Sequence, residues 1–219
     1  MTDGAASLLY QGTRESSRPS SFASGHSVPP PPILLTKDQP GVEKALNEAY
    51  LKLISRGGSG DAERWTSGQW MTEGHSGSHI SNTETLAVYS PLSIEELGEL
   101  GLREVDMLGP WVISGYKLFS SAASANMTIL LAKTQGTRGF SAFYAPLKKP
   151  TLLSLTNSEH EGHKGDEEWN GVPVVRRKKK VGKKPIVTGE IELEGMRGWL
   201  VSNIKRVILG GETNGTSDR

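Results

Sequence analysis

A chain of 219 residues can hold one medium domain with tails, but 35 % hydrophobic residues with 26 Gly and 12 Pro suit strands and loops around a modest core better than a helical bundle. A formal net charge of +1 gives no overall field to draw the chain to nucleic acid, a membrane or an acidic substrate. The lack of cysteine excludes disulfides, thiolate nucleophiles and cysteine-ligated zinc, and no apolar run approaches the roughly 20 residues that span a bilayer.

Residues 1–40 are rich in Ser, Gly and Pro, including the run from Pro29 to Pro32, and show neither period of a buried element, so a disordered or extended leader is expected. From Val42, residues Ala45, Leu46, Ala49, Tyr50, Leu53 and Ile54 fall at helical spacing, and Gly57-Gly58 stops the run. This helix, within residues 41–64, needs a partner for its apolar stripe, and nothing upstream offers one. After Asp61 the texture changes to short alternating or apolar runs, predicting strands at 69–73, 83–89, 111–120, 127–133, 139–146 and 172–176, with 186–194 as a further candidate. Ser93-Ile94-Glu95-Glu96 has the form of a capping box opening a short helix that Gly101 could close. The polar stretch 154–169 is expected as a surface loop. Leu200, Val201, Ile204, Val207 and Ile208 return to helical spacing, so a second helix is expected within 199–219. The fold class predicted is mainly β, a small barrel or sandwich over 65–198 with a flanking helix on each side.

The segment Trp70-Met71-Thr72-Glu73-Gly74-His75-Ser76-Gly77-Ser78 is a strand running into a glycine- and hydroxyl-rich loop. Such a loop can bring backbone N–H groups to a phosphate, since glycine has no Cβ to block the approach, although glycine-serine turns are also commonplace. Three pieces occur in order: Met71-Thr72-Glu73 with Gly77-Ser78, then Ser81-Asn82-Thr83-Glu84-Thr85 with Ala87, then Ile113-Ser114-Gly115-Tyr116-Lys117 with Phe119-Ser120-Ser121. Asn170-Gly171-Val172, the run Arg176, Lys178, Lys180, Gly182, and Gly189-Glu190-Ile191 with Leu193-Glu194 follow. Together they resemble the FAD-binding β-domain in the middle of acyl-CoA dehydrogenase family proteins, over about Leu46 to Gly211. The Met-Thr-Glu opening is most similar to the AidB-like branch.

The resemblance implies FAD as cofactor, with Gln69, Met71 and Thr72 along the isoalloxazine ring and Gly77 and Ser78 near the pyrophosphate. Phe119, Ser120 and Ser121 would form the second flavin-side segment. It further implies an FAD-dependent oxidoreductase acting on the CH–CH group of an acyl-CoA or related thioester, in a chain that could form a homo-oligomer. In that family the base that takes the α-proton comes from a C-terminal helical domain, so no catalytic residue is assigned and this chain alone, read as truncated, is not expected to dehydrogenate acyl-CoA. Two departures stand out: Ser76-Gly77-Ser78-His79 replaces the family's Gly-Gly-Ser-Asp, and Arg176 to Gly182 loses a carboxylate and an apolar residue.

Other classes remain to be weighed. A non-catalytic flavin-domain remnant or accessory module would keep the same motifs. The basic run from Arg176 to Lys184 could bind nucleic acid or act as a nuclear address, but no aromatic residues interleave with it, and a solvated strand and turn accounts for it better. His75 with His79, and His160 with His163, lie in loop-like sequence, so no metal site is assigned. Glu73 and Glu190 lack a visible nucleophile or base partner, and structural hydrogen bonding is their expected role. The expected setting is intracellular and cytoplasmic, without membrane attachment, with peroxisome and mitochondrion left open.

Overall fold

Short apolar runs become strands here because each finds a covered face. The computed structural model describes residues 2–16, 39, 41–57, 63–74, 83–93, 96, 108–134, 140–150, 167–172, 175–177 and 188–203. Helices α1 (Thr2–Ser16) and α2 (Val42–Ile54) precede strands β1 (Ser67–Trp70), β2 (Leu86–Tyr89), β3 (Trp111–Ser121), β4 (Met127–Thr134) and β5 (Phe140–Pro146). Then come β6 (Lys148–Pro150), β7 (Glu167–Trp169), β8 (Val175–Arg177) and β9 (Thr188–Asn203).

Strand β3 pairs with β9, β9 with β5 and β5 with β4, all antiparallel. The circuit from β4 back to β3 is closed by β1 and β2, each parallel to β4 and antiparallel to β3. Closure into a barrel removes most of the unpaired strand edge that an open sheet would expose. Strand β8 lies alongside β9, while β6 and β7 form a separate two-stranded ribbon.

The barrel has two apolar layers. Trp70, Trp111, Ile113, Leu130, Phe143, Ile191, Leu193, Met196 and Leu200 belong to one cluster. Met127, Ile129, Tyr144, Trp199 and Val201 point to the opposite face, where α1 and α2 cover them with Ala5, Leu9, Val42, Leu46, Ala49 and Leu53. Strands β4 and β5 are therefore buried on both faces and read as continuous apolar runs rather than alternation. Tyr144 and Trp199 stack with ring centroids 5.4 Å apart beneath the helices.

Three expectations need correction. The first part of the leader is helix α1, which supplies the partner that α2 lacked. Its signal was faint because its buried positions are mostly small and it contains glycine, a poor helix former, so packing rather than propensity holds it. Gly12 shows why: a Cβ there would sit 3.1 Å from the side chains of both Leu46 and Val201. Second, Leu200 and Val201 lie on strand β9, not on a closing helix. One faces the barrel cluster and the other the helices, and burial of consecutive residues mimics helical spacing. Both described helices thus precede the barrel instead of flanking it, and residues 204–219 lie outside the described residues. Third, the end of the expected loop, Glu167–Trp169, is β7, paired with β6.

Three buried or reciprocal polar contacts fix the irregular joints. Gln39 donates from Nε2 to the Leu200 carbonyl (2.8 Å) and accepts from the Leu200 N–H (2.7 Å) and Trp111 Nε1 (2.9 Å). It sits beside the register shift between β5 and β9, where ladder bonds fail. Asn170 donates to the carbonyls of Pro146 and Arg197, each at 2.8 Å, and accepts from the Arg197 N–H at 3.0 Å. The capping box forms as its sequence predicts: Glu96 N–H donates to Ser93 Oγ (3.1 Å) and Ser93 N–H to Glu96 Oε2 (2.8 Å). Glu96 is held below its ordinary value by those Ser93 bonds. Residues 97–101, where that helix would continue, lie outside the described residues.

Candidate functional site

Strands β1 and β2 act as one barrel strand with a break in it. Trp70 is registered with Leu130 and Leu86 with Lys133, so Leu131 and Ala132 of β4 face a gap between them. The segments predicted to lie along a flavin border this gap. Gln69 is registered with Ser121, and the Leu118 N–H donates to the Thr72 carbonyl at 2.8 Å. Gln69, Met71, Thr72, Phe119, Ser120 and Ser121 are thus brought to neighbouring stretches of β1, its extension and the end of β3. Gly77 and Ser78 lie outside the described residues, as do His75, His79, His160 and His163.

The gap is filled by a charged pair. Lys117 is fully buried and its Nζ donates to Glu73 Oε1 and to the Leu131 carbonyl, both at 2.6 Å. Glu73, 5 % exposed, also accepts from the Glu84 N–H, from Thr85 Oγ1 (2.6 Å) and from the Thr85 N–H (3.3 Å). Burial pushes the Glu73 carboxyl up, but the bonds from Lys117, Thr85 and Glu84 outweigh it and hold the group below its ordinary value. Burial pushes the Lys117 ammonium down, and the bond and charge of Glu73 offset only part of this. Each ion gains directed partners for its lost hydration, which a buried pair requires. Glu190 accepts from the Tyr116 hydroxyl at 2.7 Å. Glu73 and Glu190 are therefore both engaged in the framework.

Just beyond Lys117, β3 breaks its regular course. Its register with β9 shifts between Lys117 and Ser120, and Phe119 adopts φ 55°, a left-handed conformation uncommon for a bulky residue. The twist leaves the Phe119 ring 52 % exposed and turns Ser120 fully inward. Ser120 Oγ is buried and has no hydrogen-bond partner among the described residues. Among the described residues, an exposed aromatic in a left-handed conformation thus lies beside an inward hydroxyl that has no partner.

Lys117 stands within its motif in the sequence without a visible role, because nothing local marks a lysine midway along a strand as buried. The signal was present in its neighbours: Ile113 and Lys117 lie on apolar-facing positions, so a charge there calls for an acid, and Glu73 was the acid in a matching motif. Gln39 fell in the supposed leader and carried no local signal. Two surface cavities lie elsewhere. One of about 720 Å³ is lined by residues of α1 and α2 with Gln39, and one of about 300 Å³ includes Trp65, Asn126 and Trp169. Neither includes a predicted flavin-side residue. No group of three or more potential metal ligands occurs among the described residues, and no described helix is long and apolar enough to cross a membrane.

No protein-family model matches the chain. A curated relative, acyl-CoA dehydrogenase family member 11 of Caenorhabditis elegans, is 31 % identical over 179 residues, which cover 78 % of this chain and 24 % of the relative. The chain thus spans about a quarter of the length of the curated relative it matches. Among solved structures, that of Caenorhabditis elegans ACDH-11 in complex with C11-CoA has a TM-score of 0.57 at 25 % identity, covering 92 % of this chain and 26 % of that one. A glutaryl-coenzyme A dehydrogenase in complex with glutaryl-CoA is more distant, with a TM-score of 0.45 at 20 % identity over 75 % of this chain and 31 % of that one.

Proposed function

We propose, from the kinship with the acyl-CoA dehydrogenase family that these relatives support, that the chain is an FAD-binding β-domain of that family, nearest its AidB-like branch. Gln69, Met71, Thr72, Phe119, Ser120 and Ser121 would border the flavin ring, and Gly77 and Ser78 its pyrophosphate. Bound there, the cofactor supplies a two-electron acceptor for oxidation of an acyl-CoA or related thioester at a CH–CH bond. The residues of this chain bind and orient it: backbone groups around Met71 and the Thr72 and Ser120 hydroxyls offer hydrogen bonds, and Phe119 shields a face from water.

The observation that carries the reading is the buried Ser120 hydroxyl, without a partner among the described residues, beside the left-handed, exposed Phe119. A buried hydroxyl that has already given up its water could offer a planar heterocycle an edge contact at little further desolvation cost, so the residues fit the group. Because Glu73 and Glu190 are held by structural partners, this segment contributes binding rather than proton abstraction. A non-catalytic flavin module would use the same contacts. Bleaching of bound FAD by acyl-CoA would favour the oxidoreductase reading, and bound FAD that stays yellow would favour the module.

The test is a fluorescence titration of the purified chain with FAD. Thr72→Ala and Ser120→Ala should each weaken affinity about 2- to 10-fold, the loss of one hydrogen bond of roughly 0.5–1.5 kcal/mol. No binding by the wild-type chain, or unchanged affinity in both variants, would refute the assignment.

A further inference from the structure

We infer that Lys117 and Glu73 are positioning residues for the flavin edge, a buried clamp that holds the two flavin-side segments in register across the break in the barrel wall. The inference rests on the FAD reading above and adds a role for residues that touch no part of the cofactor in it.

Glu73 follows Thr72 directly, and Lys117 lies two residues before Phe119, so the pair joins one segment to the other at the places where each leaves regular strand geometry. Between the registered pairs Trp70↔Leu130 and Leu86↔Lys133 no strand among the described residues bonds the Leu131 carbonyl, and Lys117 Nζ supplies that bond from across the gap. Glu73 fixes the returning chain as well, through Glu84 N–H and Thr85 N–H and Oγ1. Thr85 in turn accepts the Lys133 N–H at its carbonyl (2.8 Å), so the chain is led back into the ladder at the start of β2.

A well-packed apolar pair of similar volume could close the same gap at equal or better stability, since burying two ions costs several kcal/mol each before their attraction is counted. What an apolar pair does not supply is direction. Two bonds from one ammonium and four to one carboxylate set the distance and angle between the segments, and the Leu118 N–H to Thr72 carbonyl bond lies immediately beside them. Ser120 Oγ and the Met71–Thr72 backbone are thereby held at a fixed separation before any ligand arrives.

The experiment compares the wild-type chain with E73Q/K117M, which removes both charges at near-constant volume, by urea midpoint, amide hydrogen exchange and FAD titration. The expected result is a folded variant whose Leu118 amide exchanges at least tenfold faster while amides in β5, such as Ala142, keep their wild-type protection. FAD should bind at least tenfold more weakly, with a shifted flavin absorption band. A folded variant with Leu118 exchange and FAD affinity within twofold of wild type overturns the inference. Equal acceleration at Leu118 and Ala142 also overturns it, since the pair would then only stabilise the whole fold, as does fast Leu118 exchange with unchanged affinity. If E73Q/K117M does not fold, Thr85→Val, which removes one neutral bond to Glu73, is read by the same criteria at threefold. A wild-type chain that binds no FAD overturns the cofactor reading and the inference with it, whereas equal binding by wild type and variant overturns the inference alone.

Discussion

Replacing Asn170 should show how far one buried amide holds the barrel end together. Its side chain is 1 % exposed and bonds to the Pro146 carbonyl, the Arg197 carbonyl and the Arg197 N–H, joining the exit of β5 to β9. Asn170→Ala leaves those three backbone groups without partners in a dry joint, at about 1 kcal/mol each, for a loss near 3 kcal/mol. Against a total stability of about 5–15 kcal/mol, with a urea slope of about 2 kcal/mol/M, the midpoint should fall by roughly 1.5 M. Asn170→Asp keeps the acceptor for Arg197 N–H but turns an anionic oxygen toward two carbonyls, so at pH 7 it should cost at least as much as alanine. The two variants then separate with pH. Burial and the facing carbonyls raise the folded pKa of the new carboxyl, and a raised group contributes stability below its unfolded value that is lost as pH rises. The aspartate variant should therefore recover relative to wild type between pH 7 and pH 5, while alanine should not. Losses under about 1 kcal/mol in both, or parallel pH profiles, would refute the argument.

Other outcomes follow from single positions. Phe119→Gly relieves φ 55° at an exposed side chain, so thermal unfolding should move up by the equivalent of about 1 kcal/mol, while FAD affinity falls if the ring borders the flavin. Gly12→Leu has no room against Leu46 and Val201 and should cost about 1–3 kcal/mol, read by urea melts and by faster proteolysis within residues 2–16. Glu73, lowered from 4.5, contributes stability that is present above that value and lost as pH falls through its folded pKa, so E73Q should flatten the acid limb of a stability–pH curve. Burial raises the Tyr144 hydroxyl above its ordinary 10.0, so stability is intact below pH 10.0 and falls above it, and Tyr144→Phe should hold its midpoint further into alkali.

Most of the strands were legible because alternation, short apolar runs and turn residues write them locally: β3, β4 and β5 match their predicted spans within a residue or two. The misses share a cause. Leu200 and Val201 are buried on opposite faces by elements distant in sequence, and α1 is helical because Val42–Ile54 and the β9 surface receive it. No local period records such facts. At the candidate site, the motif residues were identifiable one by one, but their meeting depends on the broken strand between Trp70 and Leu86, which only pairing with β3 and β4 reveals. Ser120 gave no hint that its hydroxyl would be buried with no partner among the described residues, since its burial follows from the bulge after Lys117.

The joint at Asn170-Gly171 also bears on how the protein ages. Asparagine followed by glycine is the step at which polypeptides deamidate most readily, because the glycine nitrogen, unshielded by a Cβ, can attack the carboxamide carbon and close a succinimide ring. In the fold that attack is blocked from both sides. The carboxamide is tied by three hydrogen bonds, and the Gly171 N–H is engaged by the Trp169 carbonyl at 3.0 Å with Gly171 at φ 65°. Only when this corner opens can the ring form, and its hydrolysis leaves aspartate or isoaspartate where the joint requires an amide. Each excursion long enough for that chemistry would convert a molecule that could have refolded into one that does so poorly, so deamidation at this step should track the opening of this corner.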